Sequence, residues 1–201
     1  MASIIHDMNC YVMCRFRKEG FMPRPKMKFY TSEDYWRLTE GTRAELIDGV
    51  LYDMAPPSRL HQELVMGLSN ALFNHIRNNH GPCRVYPAPF AVNLDADDKN
   101  WVEPDISVIC DSSKLTDRGC TGAPDLVMEI VSPSSRRMDY SIKCALYSQS
   151  GVREYWIVDP AKEKVVVYCY EQDDDPSLYT FDADIPVGIY PGLTIRIRDL
   201  L

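Results

Sequence analysis

The segment PDLVMEIVSP, residues 124–133, has the pattern of a buried β-strand with a carboxylate inside it. Its side chains are apolar on both faces, which is typical of a strand covered on both sides. Glu129 is the exception, and a buried isolated carboxylate normally shifts its pKa, finds a partner or binds a metal ion. Because side chains alternate along a strand, Glu129 shares its face with Asp125, Val127 and Val131, and the other face carries Leu126, Met128 and Ile130.

The sequence after this strand predicts a helix and then a second strand. Ser134 or Ser135 is suited to cap a helix over residues 136–150, and Gly151 is suited to end it. The apolar run REYWIVD follows as the next strand. The unit from residue 125 to residue 159 therefore predicts a right-handed crossover between two parallel strands.

The other segments predict a sheet flanked by helices. AELIDGVLYDM has the pattern of a hairpin that turns at Asp48-Gly49, in which Glu45 pairs with Tyr52. TSEDYWRLTE predicts a short helix, and RLHQELVMGLSNALFNHIRNNHG predicts an amphipathic helix that stops at Gly81. CRVYPAPFAVNL contains Pro87 and Pro89 and is placed at an edge or a bend. EPDISVIC predicts a strand, DSSKLTDRGCTGA a polar loop, and the residues after 160 a β-meander.

The length of the chain predicts one domain. The chain has 201 residues, of which residues 30–201 are expected to form the domain. Residues 1–29 show no clear periodicity and are expected to form a flexible extension. Its basic side chains either reach for phosphate or, as is commoner, are solvated. No apolar run is long enough for a membrane span, and no secretory signal is evident, so the expected location is the cytoplasm.

Charge and cysteine content exclude some classes of protein. The net charge is −7, which argues against broad electrostatic adhesion to nucleic acid but leaves a local basic groove open. The seven cysteines are odd in number and scattered, with no C-x-x-C pair. We therefore expect reduced, mostly buried thiols and neither a disulfide framework nor a zinc site.

Three acidic residues stand at or near strand ends. Asp105 begins the strand DISVI, Glu129 lies in the central strand, and Glu45 lies in the hairpin. A cluster of carboxylate oxygens suits Mg²⁺, or alternatively Mn²⁺, which takes oxygen ligands and keeps several waters. Each acid can instead be an exposed strand-end or turn residue. From the residues alone, this second interpretation is as good for Asp105, better for Glu45 and worse for Glu129.

The order of these motifs resembles the PD-(D/E)XK nuclease superfamily. An acid after proline begins one strand, an acid lies inside the next, and a helix and a parallel strand follow. The segments AELIDGVLYDMAPPSRLHQELV, EPDISVI and GAPDLVMEIVSPSSRRMDYSIKCALYSQSGVREYWIVDP further resemble the Uma-two family of restriction-endonuclease-like proteins. The resemblance covers residues 30–201. It implies an α/β (α+β) fold with a restriction-endonuclease-like core, in which a central mixed β-sheet is flanked by helices, with an N-terminal hairpin and a C-terminal β-meander.

The resemblance also assigns roles to individual residues. It implies that Asp105 and Glu129 are divalent-metal ligands and that the backbone carbonyl of Ile130 contributes a further ligand atom. Glu45 matches the acid of the ELIDG motif in this family. The remaining matches are His61 and Gln62, which correspond to the HQ pair at the start of the long helix. The alternatives for His61 are a contact with phosphate, orientation of Glu45, a role as an extra base, an ordinary surface position, or a partly buried hydrogen-bonding group.

The chain departs from the superfamily pattern at one position. The superfamily places a lysine two residues after its acid, where this chain has Val131. The resemblance implies that Lys143, in the following helix, takes that role. The apolar stripe of that helix, which contains Ile142, Ala145 and Leu146, places Lys143 at its border. Without the resemblance, an ordinary Asp139–Lys143 helix pair would be the better explanation.

The implied activity is Mg²⁺-dependent hydrolysis of phosphodiester bonds by an endonuclease acting on nucleic acid, with DNA as the expected substrate. The alternative is a nucleic-acid-binding or regulatory module on the nuclease fold that has lost catalysis. A homodimer is the usual way for such folds to cut both strands and is expected by analogy.

Overall fold

The computed structural model describes residues 28–172 and 175–201. The expected N-terminal extension therefore lies, apart from its last two residues, outside the described part of the chain. Within that part, two six-stranded sheets, one two-stranded sheet and three α-helices form the fold.

The strand–helix–strand unit lies at the centre of the first sheet. The sheet order is β12-β11-β10-β9-β6-β3. The central pair β9 and β10 is parallel, as the crossover predicts, and the remaining pairs are antiparallel. This mixed sheet confirms the predicted fold class. Its strands are β3 (Arg84–Pro87), β6 (Ile106–Ile109), β9 (Leu126–Ile130), β10 (Glu154–Asp159), β11 (Lys164–Cys169) and β12 (Ser177–Thr180).

The N-terminal hairpin belongs to a second sheet, which the sequence did not lead us to expect. Its order is β2-β1-β5-β4-β8-β7. Glu45 pairs with Tyr52 across the hairpin, in the predicted register, and the turn residues Asp48 and Gly49 have φ of 50° and 75°. The strands are β1 (Ala44–Ile47), β2 (Val50–Asp53), β4 (Val92–Asn93), β5 (Trp101–Val102), β7 (Leu115–Thr116) and β8 (Gly119–Thr121).

The prediction of a polar loop over residues 111–123 is wrong. Strands β7 and β8 form a short hairpin there, and β8 pairs in parallel with β4. The backbone of β8 lies very close to the residue that precedes β4. A Cβ atom at Gly119 would lie only 2.0 Å from the carbonyl oxygen of Ala91. The strands are two and three residues long, too short for a period of two to be visible in the sequence.

The helices begin where the sequence predicts. Thr31 caps α1 (Ser32–Trp36) and Ser58 caps α2 (Arg59–Asn78). The third helix begins at residue 136, as predicted, and its π-helical segment, Met138–Lys143, continues into α3 (Cys144–Ser150). Gly151 ends α3 with φ of 88°, as predicted. No helix in the described ranges is long and apolar enough to span a membrane.

The central strand separates two hydrophobic cores. Leu126, Met128 and Ile130 pack with helix α2 in one core, and Val127 and Val131 pack with the second sheet and α3 in the other. Glu129 therefore lies on the side of the sheet that faces the hairpin and the π-helical segment. A small C-terminal sheet, β13 (Ile185–Pro186) with β14 (Thr194–Ile195), and a 3₁₀ turn, Ile197–Leu200, close the first core.

The expectation that the cysteines are reduced is wrong at one pair. Cys83 and Cys110 form a disulfide across 27 residues of sequence. Arg84 lies opposite Ile109 in the antiparallel β3–β6 pair, so the residues one step beyond also face each other. Spacing along the chain cannot reveal such a cross-strand pair, because it depends on which strands are neighbours.

Candidate active site

A cleft of about 690 Å³ opens where both sheets meet the start of helix α2. Every residue that the sequence singled out for a catalytic or metal-binding role lines it. The cleft also contains Asp53, Asp139 and Arg43, which were not among those candidates. The predicted residues at the cleft are Glu45, His61, Gln62, Asp105, Glu129, Ile130 and Lys143.

Lys143 joins the two sheets at the floor of the cleft. Its Nζ atom lies 2.8 Å from Oε1 of Glu45 on β1 and 2.8 Å from Oε1 of Glu129 on β9. All three side chains are at least nine-tenths buried. The π-helical segment places Lys143 in the centre of the buried face, so the expected position at the border of an apolar stripe is wrong. Ala145, which was expected to be buried, is exposed.

Two further residues of the same helix complete the environment of Lys143, and neither is among the predicted site residues. The hydroxyl of Tyr147 donates a hydrogen bond of 2.7 Å to Oε1 of Glu129. Asp139 is buried and accepts a hydrogen bond of 2.6 Å from the hydroxyl of Ser135. The only sequence signal for Asp139 and Tyr147 is that each lies four residues from Lys143, a spacing that places side chains on one helix face.

Asp105 is fixed by contacts from two elements, helix α2 and strand β9. Its Oδ2 atom lies 3.0 Å from Nε2 of His61 and accepts a hydrogen bond of 2.8 Å from the backbone amide of Ile130. Its own amide points at Oε2 of Glu129, at 3.5 Å. The carboxyl groups of Asp105 and Glu129 are therefore neighbours, as the order of the strands predicts. His61 contacts Asp105, and its contact favours orientation of that residue over orientation of Glu45.

The ring of His61 has a distinct hydrogen-bonding pattern. Because Nε2 faces a carboxylate, the neutral ring carries its proton on Nε2. Nδ1 is buried and has no hydrogen-bond partner within the described residues. Gln62 is more exposed and lines the cleft without contacting the acids through its side chain.

The buried cluster holds more negative than positive groups. Burial raises the pKa of Glu129 well above its usual value, and the repulsion by Asp105 and Asp139 adds to this, while Lys143 opposes it. Burial likewise raises the pKa of Asp139. Burial would lower the pKa of Lys143, but Glu129 and Glu45 outweigh it and hold that pKa well above its usual value. A single ammonium group is thus shared among several buried carboxyl groups.

The donor set at this cluster fits a hard divalent cation. Asp105 and Glu129 use Oδ2 and Oε1 for hydrogen bonds and ion pairs, and the cleft reaches both side chains. Mg²⁺ is commonly held by one or two carboxylates, with waters and substrate phosphates as the other ligands. Among residues 28–172 and 175–201, no group of three or more His, Cys, Asp or Glu side chains is arranged to hold a metal ion. Asp105 and Glu129 are thus the carboxylates at the cleft that would hold such a cation, with waters as its other ligands.

Comparison with protein families places this site in a known context. A model of the Uma2 family, described as "Putative restriction endonuclease", matches residues 32–197. The chain belongs to the Uma2 family. This is the Uma-two resemblance that the motifs carry, and the match extends over both sheets and all the residues at the cleft. Membership supports a nuclease activity on a nucleic-acid substrate.

Two individual proteins are similar over most of the chain. An uncharacterized protein of Synechocystis, slr1290, is 26% identical over 164 residues, which cover 80% of this chain and 83% of that protein. The crystal structure of a nuclease of DUF820 from Anabaena variabilis, described as putative, superposes with a TM-score of 0.69. It is 21% identical, and the match covers 85% of this chain and 96% of the other. This similarity confirms the fold.

Proposed function

We propose that the chain is a Mg²⁺-dependent endonuclease that hydrolyses phosphodiester bonds, with DNA as its substrate. The observation that carries the proposal is the position of Lys143, whose Nζ lies 2.8 Å from the carboxylates of both Glu45 and Glu129. Val131 leaves the superfamily's lysine position empty of a cation. The helix that follows instead carries Lys143, whose ammonium group contacts Glu45 and Glu129 at the floor of the cleft.

Lys143 holds and orients the attacking water. An ammonium group has three N–H donors; two face Glu45 and Glu129, and the third is available to a water or to a phosphoryl oxygen. A fixed cation in a site that excludes bulk water stabilises the negative charge that develops on the phosphoryl oxygens. The ion pairs with Glu45 and Glu129 keep the Lys143 side chain in place and protonated while the substrate binds.

Asp105 and Glu129 would hold the cation. The hydrogen bonds from His61 and Ile130 use Oδ2 of Asp105, and, among the described residues, Oε2 of Glu129 receives only the long contact of 3.5 Å from the amide of Asp105. Tyr147 and His61 fix the orientation of the two carboxyl groups. When bound, Mg²⁺ polarises the phosphoryl group and lowers the pKa of a bound water. Glu45 positions Lys143 and, through its Oε1, also accepts a hydrogen bond of 2.9 Å from the amide of Glu103.

The cleft is lined by more negative than positive side chains, and this affects how a negatively charged substrate can bind. Five carboxylates line it, against the cations Arg43 and Lys143 and the ring of His61. A polyanionic substrate is repelled by such a surface unless a divalent cation is bound. We therefore propose that nucleic acid binds productively only to the metal-loaded protein, and that a homodimer provides the second cut in a duplex.

The experiment is a cleavage screen with end-labelled duplex DNA, single-stranded DNA, branched DNA and RNA, each in Mg²⁺, Mn²⁺ or EDTA. The variants are Asp105→Ala and Glu129→Ala. Glu171→Ala is the matched control, because this exposed carboxylate pairs only with Arg153 and lies outside the cleft.

Cleavage of DNA by the wild type and by Glu171→Ala, which is lost in EDTA and in both cleft variants, supports the proposal. Cleavage at the wild-type rate by Asp105→Ala or by Glu129→Ala contradicts it. If a folded wild-type protein cleaves none of these substrates but still binds them, the alternative of a binding module that has lost catalysis is correct.

A further inference from the structure

A second cavity, of about 430 Å³, lies at the other end of helix α2. The last turn of α2 and the edge strand β3 form its walls. We call it the Arg77–Arg84 pocket. Its lining residues are Phe73, Ile76, Arg77, His80, Gly81, Cys83, Arg84, Val85 and Tyr86.

The charge of the Arg77–Arg84 pocket is opposite to that of the chain. The chain has 29 acidic and 22 basic residues, yet none of the described carboxylates lines this pocket, whereas two arginines and a histidine do. A cation in the last turn of a helix is favoured by the helix dipole, which accounts for Arg77. It does not account for Arg84, which lies on the neighbouring strand.

The two arginines also differ from most others in the described residues, because they have no carboxylate partner. Arg84 uses Nη1 to donate to the carbonyl oxygens of Pro82 and Cys83, at 3.0 and 3.1 Å, so its Nη2 and Nε donors remain available. Seven arginines within residues 28–172 and 175–201 form ion pairs with Asp or Glu. The four described arginines without such a partner are Arg77, Arg84, Arg118 and Arg137, and the first two meet at this pocket.

Aromatic side chains stand beside these cations. Phe73 is 52% exposed on the surface of α2. On the other wall, Tyr86 lies at the sheet edge and is held by stacking on Phe90, with ring centroids 4.2 Å apart. Guanidinium groups bind phosphate through a planar pair of donors, and exposed aromatic rings stack on unpaired bases. The ligand chemistry that fits both features is a phosphate linked to a planar base.

The segment that carries the pocket continues to the active-site cleft. Tyr86 of β3 lines the pocket, and Ala88, which lies just after β3, lines the cleft. A single-stranded flank that leaves the cleft along this segment would reach the pocket.

We propose that the Arg77–Arg84 pocket binds an unpaired nucleotide of the substrate strand, with the two guanidinium groups at its phosphate and Phe73 against its base. A base within a duplex does not expose its face, so the pocket favours a single-stranded flank or end over a blunt duplex. The proposal rests on the proposed function for the identity of the substrate, but its test does not require cleavage.

The test is a fluorescence-anisotropy titration of the full chain with Ca²⁺ in place of Mg²⁺, so that the cleft carries a divalent cation, and a gel after each titration verifies that the probe is uncut. The probes are a labelled blunt DNA duplex and the same duplex with a four-nucleotide single-stranded overhang. The variants are the double substitution Arg77→Ala/Arg84→Ala, its charge-retaining counterpart Arg77→Lys/Arg84→Lys, and Phe73→Ala. Arg37→Ala/Arg118→Ala is the matched control, because it removes the same charge and neither residue lines either cavity.

We expect the wild type and the control to bind the overhang duplex more tightly than the blunt duplex. Arg77→Ala/Arg84→Ala should bind the overhang about tenfold more weakly and lower the slope of log K against log salt by about 0.7, the value for one phosphate of a single strand. The lysine pair should keep most of that slope. Phe73→Ala should lose about fivefold or more in affinity with little change in the slope, since stacking does not release counterions.

Equal losses in the pocket variant and in the control, or no preference for the overhang in the wild type, would overturn the proposal. Circular dichroism of each variant separates a lost contact from a lost fold. A preference for the overhang that depends on Arg77 and Arg84, in a protein that cleaves nothing, would retain the pocket and refute the nuclease activity. Cleavage that depends on Glu129, without a preference for the overhang, would retain the nuclease activity and refute the role of the pocket.

Discussion

The Nζ atom of Lys143 lies 2.8 Å from Oε1 of Glu129, a residue 14 positions earlier on the neighbouring element of the chain. The same ammonium group lies 2.8 Å from Glu45, which belongs to the other large sheet. One cation thus neutralises carboxylates from two sheets, and it is itself buried. Replacing Lys143 and replacing one of its two acidic partners should consequently lower the stability of the protein by unequal amounts.

Lys143→Met should destabilise the protein strongly in the absence of divalent ions. It keeps an unbranched side chain that is one atom shorter but leaves Glu45 and Glu129 buried without a cation, and breaking a buried pair in this way costs about 3–5 kcal/mol. Glu45→Gln should cost less, because Glu129 still pairs with Lys143. The measurement is urea unfolding of both variants in EDTA. A smaller loss for Lys143→Met than for Glu45→Gln would contradict the proposed charge balance.

Tyr147→Phe should weaken metal binding while leaving the core packed. The variant loses the hydroxyl that donates to Glu129 at 2.7 Å but keeps the ring, whose centroid lies 4.9 Å from that of Tyr155. Loss of a group that orients a metal ligand typically costs about 10–100-fold in affinity or activity. Calorimetric titration with Mn²⁺ measures it. The matched control is Tyr170→Phe, whose hydroxyl donates to the carbonyl of Cys144 instead, and an equal effect in both variants would refute the role of Tyr147.

Asp159 should contribute stability that the protein loses as the pH falls. Burial acts to raise the pKa of Asp159, but hydrogen bonds from Arg136 and Tyr140 outweigh it and hold the pKa below its usual value. The stabilisation is complete well above the unfolded-state value of about 3.9 and is lost as the pH falls through the lower, folded-state pKa. Asp159→Asn has no carboxyl group at this position and therefore lacks this pH-dependent stabilisation.

Thermal melts between about pH 3 and pH 6 test this prediction, since the window spans the unfolded-state pKa. The wild type should lose more of its melting temperature than Asp159→Asn does as the pH is lowered. Parallel curves for the two proteins would show that the ion pair with Arg136 does not contribute to the acid sensitivity.

Reduction of the disulfide should destabilise the first core. A cross-link that closes a loop of 27 residues contributes about 3.5 kcal/mol in the chain-entropy model. We expect dithiothreitol to lower the urea midpoint of the wild type and to leave that of Cys83→Ala/Cys110→Ala unchanged. Alkylation under denaturing, non-reducing conditions, followed by mass spectrometry, should find both cysteines protected. Free thiols at both positions in freshly purified protein would contradict the pairing.

The sequence predicts most of the central sheet because each of its signals is local. The uninterrupted apolar run around Glu129 indicates a strand covered on both faces, and Asp48-Gly49 fixes the hairpin register by itself. The parallel pairing of β9 with β10 follows from the helix between them. These features need no knowledge of distant residues.

The remaining features depend on contacts between distant segments. The second sheet is built from strands of two to four residues, whose pairing compensates for their weak individual patterns. The disulfide between Cys83 and Cys110 requires β3 to lie beside β6. The π-helical segment, which has no sequence signature, turns Lys143 into the centre of the buried face. Tyr147 was visible only as a residue four positions from Lys143.

The central claim is that Lys143 acts at the reacting phosphate in place of the lysine that Val131 displaces. Single-turnover cleavage of an end-labelled DNA substrate in saturating Mg²⁺ tests it most directly, with the wild type, Lys143→Met, and the control Glu171→Ala. Circular dichroism and Mn²⁺ titration confirm that Lys143→Met is folded and still binds metal. We expect a rate for Lys143→Met at least about 100-fold below that of the wild type, at the scale of one preorganised electrostatic donor. A folded, metal-binding Lys143→Met that cleaves at the rate of Glu171→Ala would contradict it.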